Sequence, residues 1–209
     1  AGSHSFHGKE TGEMSVSGNG LAVVLLAAGA GRRFGGDKLF YQVDGVPMFR
    51  RAADLVLSLG DLAGIKMVVT GDGRIAESLE RDGFHVVWNR EPERGISRSV
   101  ALAAEEAEKK NASALCFMVC DQPWLREDTL AGFLTAWKES GKTLGSLIWN
   151  GQAGNPAVFG KIWWEELKNL SGDRGGRQVL NRRREEVFFY EAAEARELED
   201  VDWRPENIL

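Results

Sequence analysis

From Leu21 onward the chain alternates between short apolar runs and longer stretches whose apolar residues recur at helical spacing. These apolar runs, continuous at 21–27 and interrupted by Lys66 and His85 in two of the others, cover residues 21–27, 65–70, 84–88 and 114–120, which is strand length. Between them, residues 48–59 place Phe49, Ala52, Ala53, Val56 and Leu59 on one face, and residues 97–110 do the same with Val100, Ala103, Ala104 and Ala107. Shorter helical patterns fall at 74–81 and 127–138. Fully apolar strands separated by amphipathic helices predict an α/β fold with a doubly wound, mostly parallel sheet covered on both faces and wound by right-handed crossovers. Beyond residue 140 the regularity loosens. Strands are expected at 144–149 and 157–159 around a Gly/Asn-rich turn at 150–155, then a helix at 162–170 and a strand at 187–190. This irregular C-terminal portion reads as a substrate-side elaboration of the sheet.

Residues 1–20 are polar and lack any hydrophobic period, so they read as a disordered leader in which Gly2-Ser3-His4 resembles the remnant of an expression tag. No repeat or long linker interrupts residues 21–209, which are expected to form a single domain. At 209 residues, 43% hydrophobic and 27% charged, the chain has the means for one full core. A net charge of -5 argues against general attraction to nucleic acid or an anionic membrane. No apolar stretch approaches the ~20 residues that span a bilayer, and no signal pattern opens the chain, so a cytoplasmic protein is expected. Cys116 and Cys120 lie four residues apart on one expected strand, roughly 13 Å, too far for a disulfide. They are expected to be inert core thiols, and His85, inside an apolar run, a structural residue.

In open α/β sheets ligands bind outside the carboxyl ends of the strands, and the chemistry-bearing residues cluster there. The first strand runs into Ala27-Ala28-Gly29-Ala30-Gly31-Arg32-Arg33-Phe34-Gly35-Gly36-Asp37-Lys38. A loop this poor in side chains lets backbone N–H groups approach phosphate oxygens, and Arg32, Arg33 and Lys38 add charge. A plain connecting turn leaves those three cations unexplained. A dinucleotide fingerprint needs a third glycine where Phe34 stands, and a Walker loop needs Gly-Lys-Ser/Thr, which Gly36-Asp37-Lys38-Leu39 does not supply. At the end of the fourth strand Asp121-Gln122-Pro123 puts a carboxylate on the same edge, where it is either a turn former or a ligand for a hard cation. No Ser/His/Asp set is present, so covalent hydrolase chemistry is unsupported.

The string from Leu26 and Ala27 through Ala28, Gly29, Gly31, Arg33, Phe34 and Gly35 to Lys38 resembles the signature of the molybdopterin nucleotidyltransferase-like family of glycosyltransferase-A-type enzymes. Its members join a nucleoside triphosphate to a phosphorylated acceptor and release pyrophosphate. Ala27-Ala28-Gly29 is similar to the molybdenum cofactor cytidylyltransferases, whereas Gly35-Gly36-Asp37-Lys38 resembles the guanylyl branch. CTP is therefore the favoured nucleotide and GTP the alternative. The resemblance implies Mg²⁺ on Asp121 and, through Asp200-Val201-Asp202, a second ligand in Asp202. It implies that Lys38 and Arg33 stabilise charge during transfer, and that Asn89, Gly95, Ser97 and Ser99 contact the nucleotide. It also implies that Asn155, Pro156, Asp173, Arg174 and Arg177 line the side of a molybdenum-pterin phosphate acceptor, with a molybdoenzyme as downstream recipient. Read on residue type alone, 97–99 are helix-capping serines, and 154–159 and 172–177 are surface turns. A sugar-phosphate nucleotidyltransferase and a non-catalytic cofactor carrier are the competing functions.

Overall fold

The computed structural model describes residues 18–29 and 37–202. In chain order the elements begin with β1 (Leu21–Ala27), a hairpin of β2 (Gln42–Val43) and β3 (Val46–Pro47), and α1 (Met48–Ser58). They continue with β4 (Ile65–Thr70), α2 (Gly73–Arg81), β5 (His85–Trp88), α3 (Ile96–Lys109), β6 (Ala114–Val119) and α4 (Glu127–Ser140). The C-terminal part contributes β7 (Leu144–Trp149), β8 (Gln152–Gly160), α5 (Trp164–Lys168), α6 (Arg177–Arg182) and β9 (Val187–Glu191). Seven strands form one sheet in the order β5-β4-β1-β6-β8-β7-β9. All neighbours run parallel except at β8, which is antiparallel to both β6 and β7.

Strand alternation sorts the apolar residues onto two faces. Val23, Leu25, Val68, Cys116 and Met118 meet α1, α2 and α4 through Ala53, Val56, Leu79, Leu130 and Phe133. Val24, Met67, Val69, Leu115 and Phe117 meet α3, α5 and α6 through Ala103, Ala104, Ala107, Trp164 and Leu180. Both faces are covered, which is why the central strands read as continuous apolar runs. The polypeptide leaves β1 toward β4 on one side and reaches β6 on the other, so the direction of winding reverses between β1 and β6. At such a switch point the connections part and leave a crevice at the carboxyl ends. A third, small cluster of Met48 and Val201 with Tyr41, Val43 and Trp124 joins the hairpin to the end of the described chain.

The structure departs from the sequence pattern in several places. The segment expected as a turn at 150–155 is mostly strand, because β8 begins at Gln152. The reversal needs only Asn150 and Gly151, at φ 47° and 78°, the left-handed pair that suits a two-residue hairpin. Residues 162–170 form a 3₁₀ turn at Lys161–Trp163 followed by the short α5. The helix α6 and the β2–β3 hairpin went unrecognised, since six-residue and two-residue elements carry too little period to register. Gly18–Gly20, placed in the leader by composition, are hydrogen-bonded to the α3–β6 connection: Asn19 N–H donates to Asn111 O at 2.8 Å, and Ser113 N–H to Gly20 O at 2.9 Å. Cys116 and Cys120 are buried free thiols, and burial raises both above the ordinary thiol range, with the Asp121 charge adding to the shift at Cys120. His85 Nε2 lies 2.9 Å from Glu106 Oε1, bringing β5 and α3 together.

Candidate active site

The carboxyl ends of β1, β4, β5 and β6 open onto a cavity of about 720 Å³. Its walls include Leu26, Ala27, Ala28 and Gly29 from the end of β1, and Asn89 and Ser99 from the β5–α3 side. Lys38, Asp121 and Asp202 form another part of the wall. Thr70 braces the floor, donating from Oγ1 to Ala27 O at 3.0 Å and accepting from Asp72 N–H at 3.1 Å.

Lys38 and Asp121 are far apart in sequence, yet Lys38 Nζ lies 2.8 Å from Asp121 Oδ2 and 3.3 Å from Asp202 Oδ1. Burial disfavours the ammonium, but the hydrogen bonds and charges of the two carboxylates outweigh it, and the lysine is held above its ordinary value. Asp200 stands beside them, donated to by Gln122 Nε2 at 3.0 Å. Although the residue as a whole is exposed, lost hydration of its carboxyl and the charge of Asp121 hold it above the usual carboxylate range, against the Gln122 hydrogen bond. Val201 N–H donates to Asp121 O at 2.9 Å, so the Asp200–Asp202 stretch is pinned to the β6 loop by its backbone.

Arg51 on α1 fastens the hairpin after Lys38 to the loop after Asp121. Its Nε donates to Pro123 O at 2.9 Å and its Nη1 to Val43 O at 3.2 Å. On the opposite wall, Asp72 caps α2 through the N–H groups of Arg74 and Ile75. Arg74 binds Asp72 and reaches Asp37 at 3.0 Å, with its guanidinium 3.9 Å from the Phe40 ring centroid. The Arg74 hydrogen bond is the first reason that Asp72 lies below the usual carboxylate range; burial opposes it, and the two backbone donors reinforce it. Asp37, adjacent to Lys38, is thereby moored to α2.

The remaining sequence-derived candidates divide. Asn89 is buried with both ends of its amide engaged: Nδ2 donates to Ser99 Oγ at 2.9 Å, and Oδ1 accepts from Glu91 N–H at 2.9 Å. Its hydrogen bonds shape the loop that leads into α3. Gly95 adopts φ +84°, and a Cβ there would strike Gly172 O and the Asp173 carboxyl, so the 172–173 turn packs directly on it. Ser97 N–H donates to Gly172 O at 3.1 Å, while Ser99 and Asp173 line the cavity. Ser97, Asn155, Pro156, Arg174 and Arg177 are not among the cavity-lining residues. The Asn155 and Pro156 pair belongs to β8, not to a turn. Gly31 and Arg33 lie outside the described residues. Arg51, Arg74, Gln122 and Asp200 were missed. Asp72 directly after the β4 run was the one legible signal, because it sits on the same sheet edge as Asp121.

The arrangement brings a glycine-bearing strand end, a lysine and two carboxylates to one crevice, as phosphate chemistry requires. A model of the MobA-like NTP transferase domain matches residues 23–187. The chain belongs to this family. Among its relatives, a Thermococcus gammatolerans protein named "Probable molybdenum cofactor guanylyltransferase" is 29% identical over 173 residues, covering 78% of this chain and 81% of that one. The Bacillus subtilis purine catabolism protein PucB is 27% identical over 194 residues, 87% of this chain and 91% of that one. The fold matches that of Mycobacterium tuberculosis Rv0371c, solved in complex with manganese, at a TM-score of 0.66 and 19% identity, covering 83% of this chain and 88% of the other. Membership identifies the protein as a nucleotidyltransferase of the MobA-like group. Among the described residues no helix is long and apolar enough to cross a membrane.

The donor set of this MobA-like transferase suits a hard divalent cation completed by substrate. Two carboxylate oxygens face one cation-sized point, now held by Lys38 Nζ. Among the described residues no group of three or more His, Cys, Asp or Glu could hold a metal by itself. Mg²⁺ is commonly bound in this way, by one or two carboxylates plus phosphate oxygens and water.

Proposed function

We propose that this MobA-like transferase takes CTP as its Mg²⁺ complex and transfers CMP to the terminal phosphate of a molybdenum-pterin, forming the cytosine dinucleotide cofactor and pyrophosphate. The observation that carries the reading is the meeting of Lys38, Asp121 and Asp202 on one wall of the cavity whose other wall is the Ala27-Ala28-Gly29 strand end. An acceptor phosphate oxygen attacks the α-phosphorus, the bond to the bridging α–β oxygen breaks, and the leaving pyrophosphate carries away the electron pair. The acceptor is already an anion, so no strong general base is needed, and catalysis rests on positioning and charge neutralisation. Asp121 and Asp202 are assigned the metal, which when bound neutralises phosphate oxygens. Lys38 and Arg33 are assigned the charge that grows toward pyrophosphate. Leu26 to Gly29 with Gly31 are assigned the phosphates, and the Asn89–Ser99 segment the base and ribose. Asp173, Arg174 and Arg177, with Asn155 and Pro156, are assigned the acceptor side.

A second reading, guanylyl transfer from GTP, is favoured by the name of the T. gammatolerans relative and by Gly35-Gly36-Asp37-Lys38. Acceptor-dependent pyrophosphate release, measured with purified protein, Mg²⁺ and molybdenum-pterin cofactor, separates the two. Release with CTP supports the first reading. A preference for GTP replaces it with the second. Release with neither refutes the pterin as acceptor.

A further inference from the structure

Residues 192–202 cross the loop that follows β6 as a strap, and the fastening at its head is unusual. Glu197 is 0% exposed. Its Oε1 accepts from Arg126 N–H at 3.0 Å, at the N-cap of α4, and its Oε2 accepts from Ala193 N–H at 2.7 Å. A buried carboxylate is costly unless its oxygens are hydrogen-bonded, so both N–H groups must stay in place for this residue to be tolerated. The helix N-terminus at Arg126 is also the end that favours negative charge.

Leu198, Asp200 and Val201 are registered to the loop that carries Asp121. Leu198 O and Asp200 Oδ1 both accept from Gln122 Nε2, at 3.4 and 3.0 Å. Val201 donates its N–H to Asp121 O and buries its side chain against Met48. Asp202 then arrives 3.3 Å from Lys38 Nζ.

We infer that Glu197 is a positioning residue for the Asp121–Asp202 pair: by bonding the α4 cap and the head of the strap at once, it sets where Asp202 meets Asp121. The inference rests on the metal assignment made above for those two aspartates. A carboxylate serving the fold alone would alter stability without altering how the protein holds a metal–nucleotide complex.

The test is a double-mutant cycle of Glu197→Gln and Asp202→Asn. It is read as the dissociation constant of Mn²⁺ with the α,β-methylene analogue of CTP or GTP, whichever the wild type retains, followed by water proton relaxation. Glu197→Gln keeps the size of the residue but turns one acceptor into a donor facing an N–H group. It is expected to weaken binding by roughly 10-fold, the lower end of what partners of metal ligands contribute. In the Asp202→Asn background it should have almost no further effect. An equal loss in both backgrounds, or none in the first, overturns the inference. If Asp202→Asn itself leaves Mn²⁺ binding unchanged, the metal assignment fails and the positioning role falls with it, by a result distinct from the previous one. Should Glu197→Gln not fold, Gln122→Met releases the next fastening of the strap and must show the same loss and the same dependence on Asp202; independence overturns the inference equally.

Discussion

Replacing Lys38 with methionine probes the centre of the site, because it removes the ammonium and keeps most of the stem. The lysine is 16% exposed and Asp121 25%, whereas Asp202 is 54% exposed and contributes less. A unit-charge pair near 4 Å at an effective dielectric of 20 is worth about 4 kcal/mol before desolvation. Much of that offsets the loss of hydration around the lysine, and the exposed Asp202 adds little. A net destabilisation of about 1–2 kcal/mol follows, a Tm lower by about 2–8 °C for a chain of this length. The sign with pH follows from the raised value of Lys38. Its stabilisation is fully present below the unfolded lysine value, about 10.4, and is lost as pH rises through the higher folded value. The gap in Tm between wild type and Lys38→Met should therefore be full at pH 7 and begin to narrow only as pH rises past the unfolded lysine value of about 10.4. Because the variant leaves two carboxylates facing each other uncompensated, millimolar Mg²⁺ should raise its Tm more than that of wild type. Turnover, measured as pyrophosphate release, should fall by about 10²–10³-fold. An unchanged Tm, a gap that does not narrow as pH rises above the unfolded lysine value, or the same response to Mg²⁺ in both proteins would refute the electrostatic account.

Asp121→Asn should lower metal-dependent pyrophosphate release by at least about 100-fold while Mg²⁺-free nucleotide binding, measured by calorimetry, is no weaker than in wild type. Arg51→Met strips the donors from Pro123 O and Val43 O; it should cost about 1–3 kcal/mol in denaturant unfolding and lower turnover as the Lys38 hairpin loosens from the Asp121 loop. Asp200→Asn should stabilise the metal-free protein at pH 7 by less than about 1 kcal/mol. Its raised carboxyl value means that ionisation costs the fold, so the gain should vanish below the unfolded aspartate value of about 3.9, where both states are protonated; a Tm at pH 7 below that of wild type would contradict this.

The sheet was legible because its strands are buried on both faces, so Val23-Val24-Leu25 and Leu115-Cys116-Phe117 leave no polar alternation to confuse the period. The same edge logic placed Asp121 and the end of β1 together, and the structure puts both on the cavity wall. What sequence could not supply were contacts that depend on three-dimensional closure. Arg51 reads as one more charge on the polar side of α1, and nothing in its spacing points to Pro123 O, 72 residues away. Glu197 sits among Glu194, Arg196 and Glu199 in a run that looks solvated, yet it is the member that turns inward. The strand expected at 157–159 is the second half of β8, but its first half was hidden for the opposite reason: Gly154-Asn155-Pro156 has turn chemistry, and it lies at the irregularity between the Ile148–Ala153 and Ser146–Ala157 pairs with β7.

The charge distribution also bears on what enters the cavity. Among the described lining residues Lys38 is the only Lys or Arg, against Asp37, Asp72, Glu93, Asp121, Asp173 and Asp202. Arg74, from just outside, accounts for Asp37 and Asp72, and Lys38 is shared between Asp121 and Asp202. Among the described residues, a bare triphosphate approaching this wall meets carboxylates whose cations, Lys38 and Arg74, are already engaged, in a protein of net charge -5. On the proposed reading, Asp121 and Asp202 would hold the divalent cation of a metal–triphosphate complex, and Lys38 would then be available to the phosphate oxygens. On that reading the acid-rich wall would disfavour the metal-free nucleotide relative to its complex, a form of discrimination by repulsion. Lys38, held at the meeting point of Asp121 and Asp202, would give up that place at little cost on this reading, because a divalent cation would carry more charge to the two carboxylates and the lysine would gain phosphate oxygens in exchange.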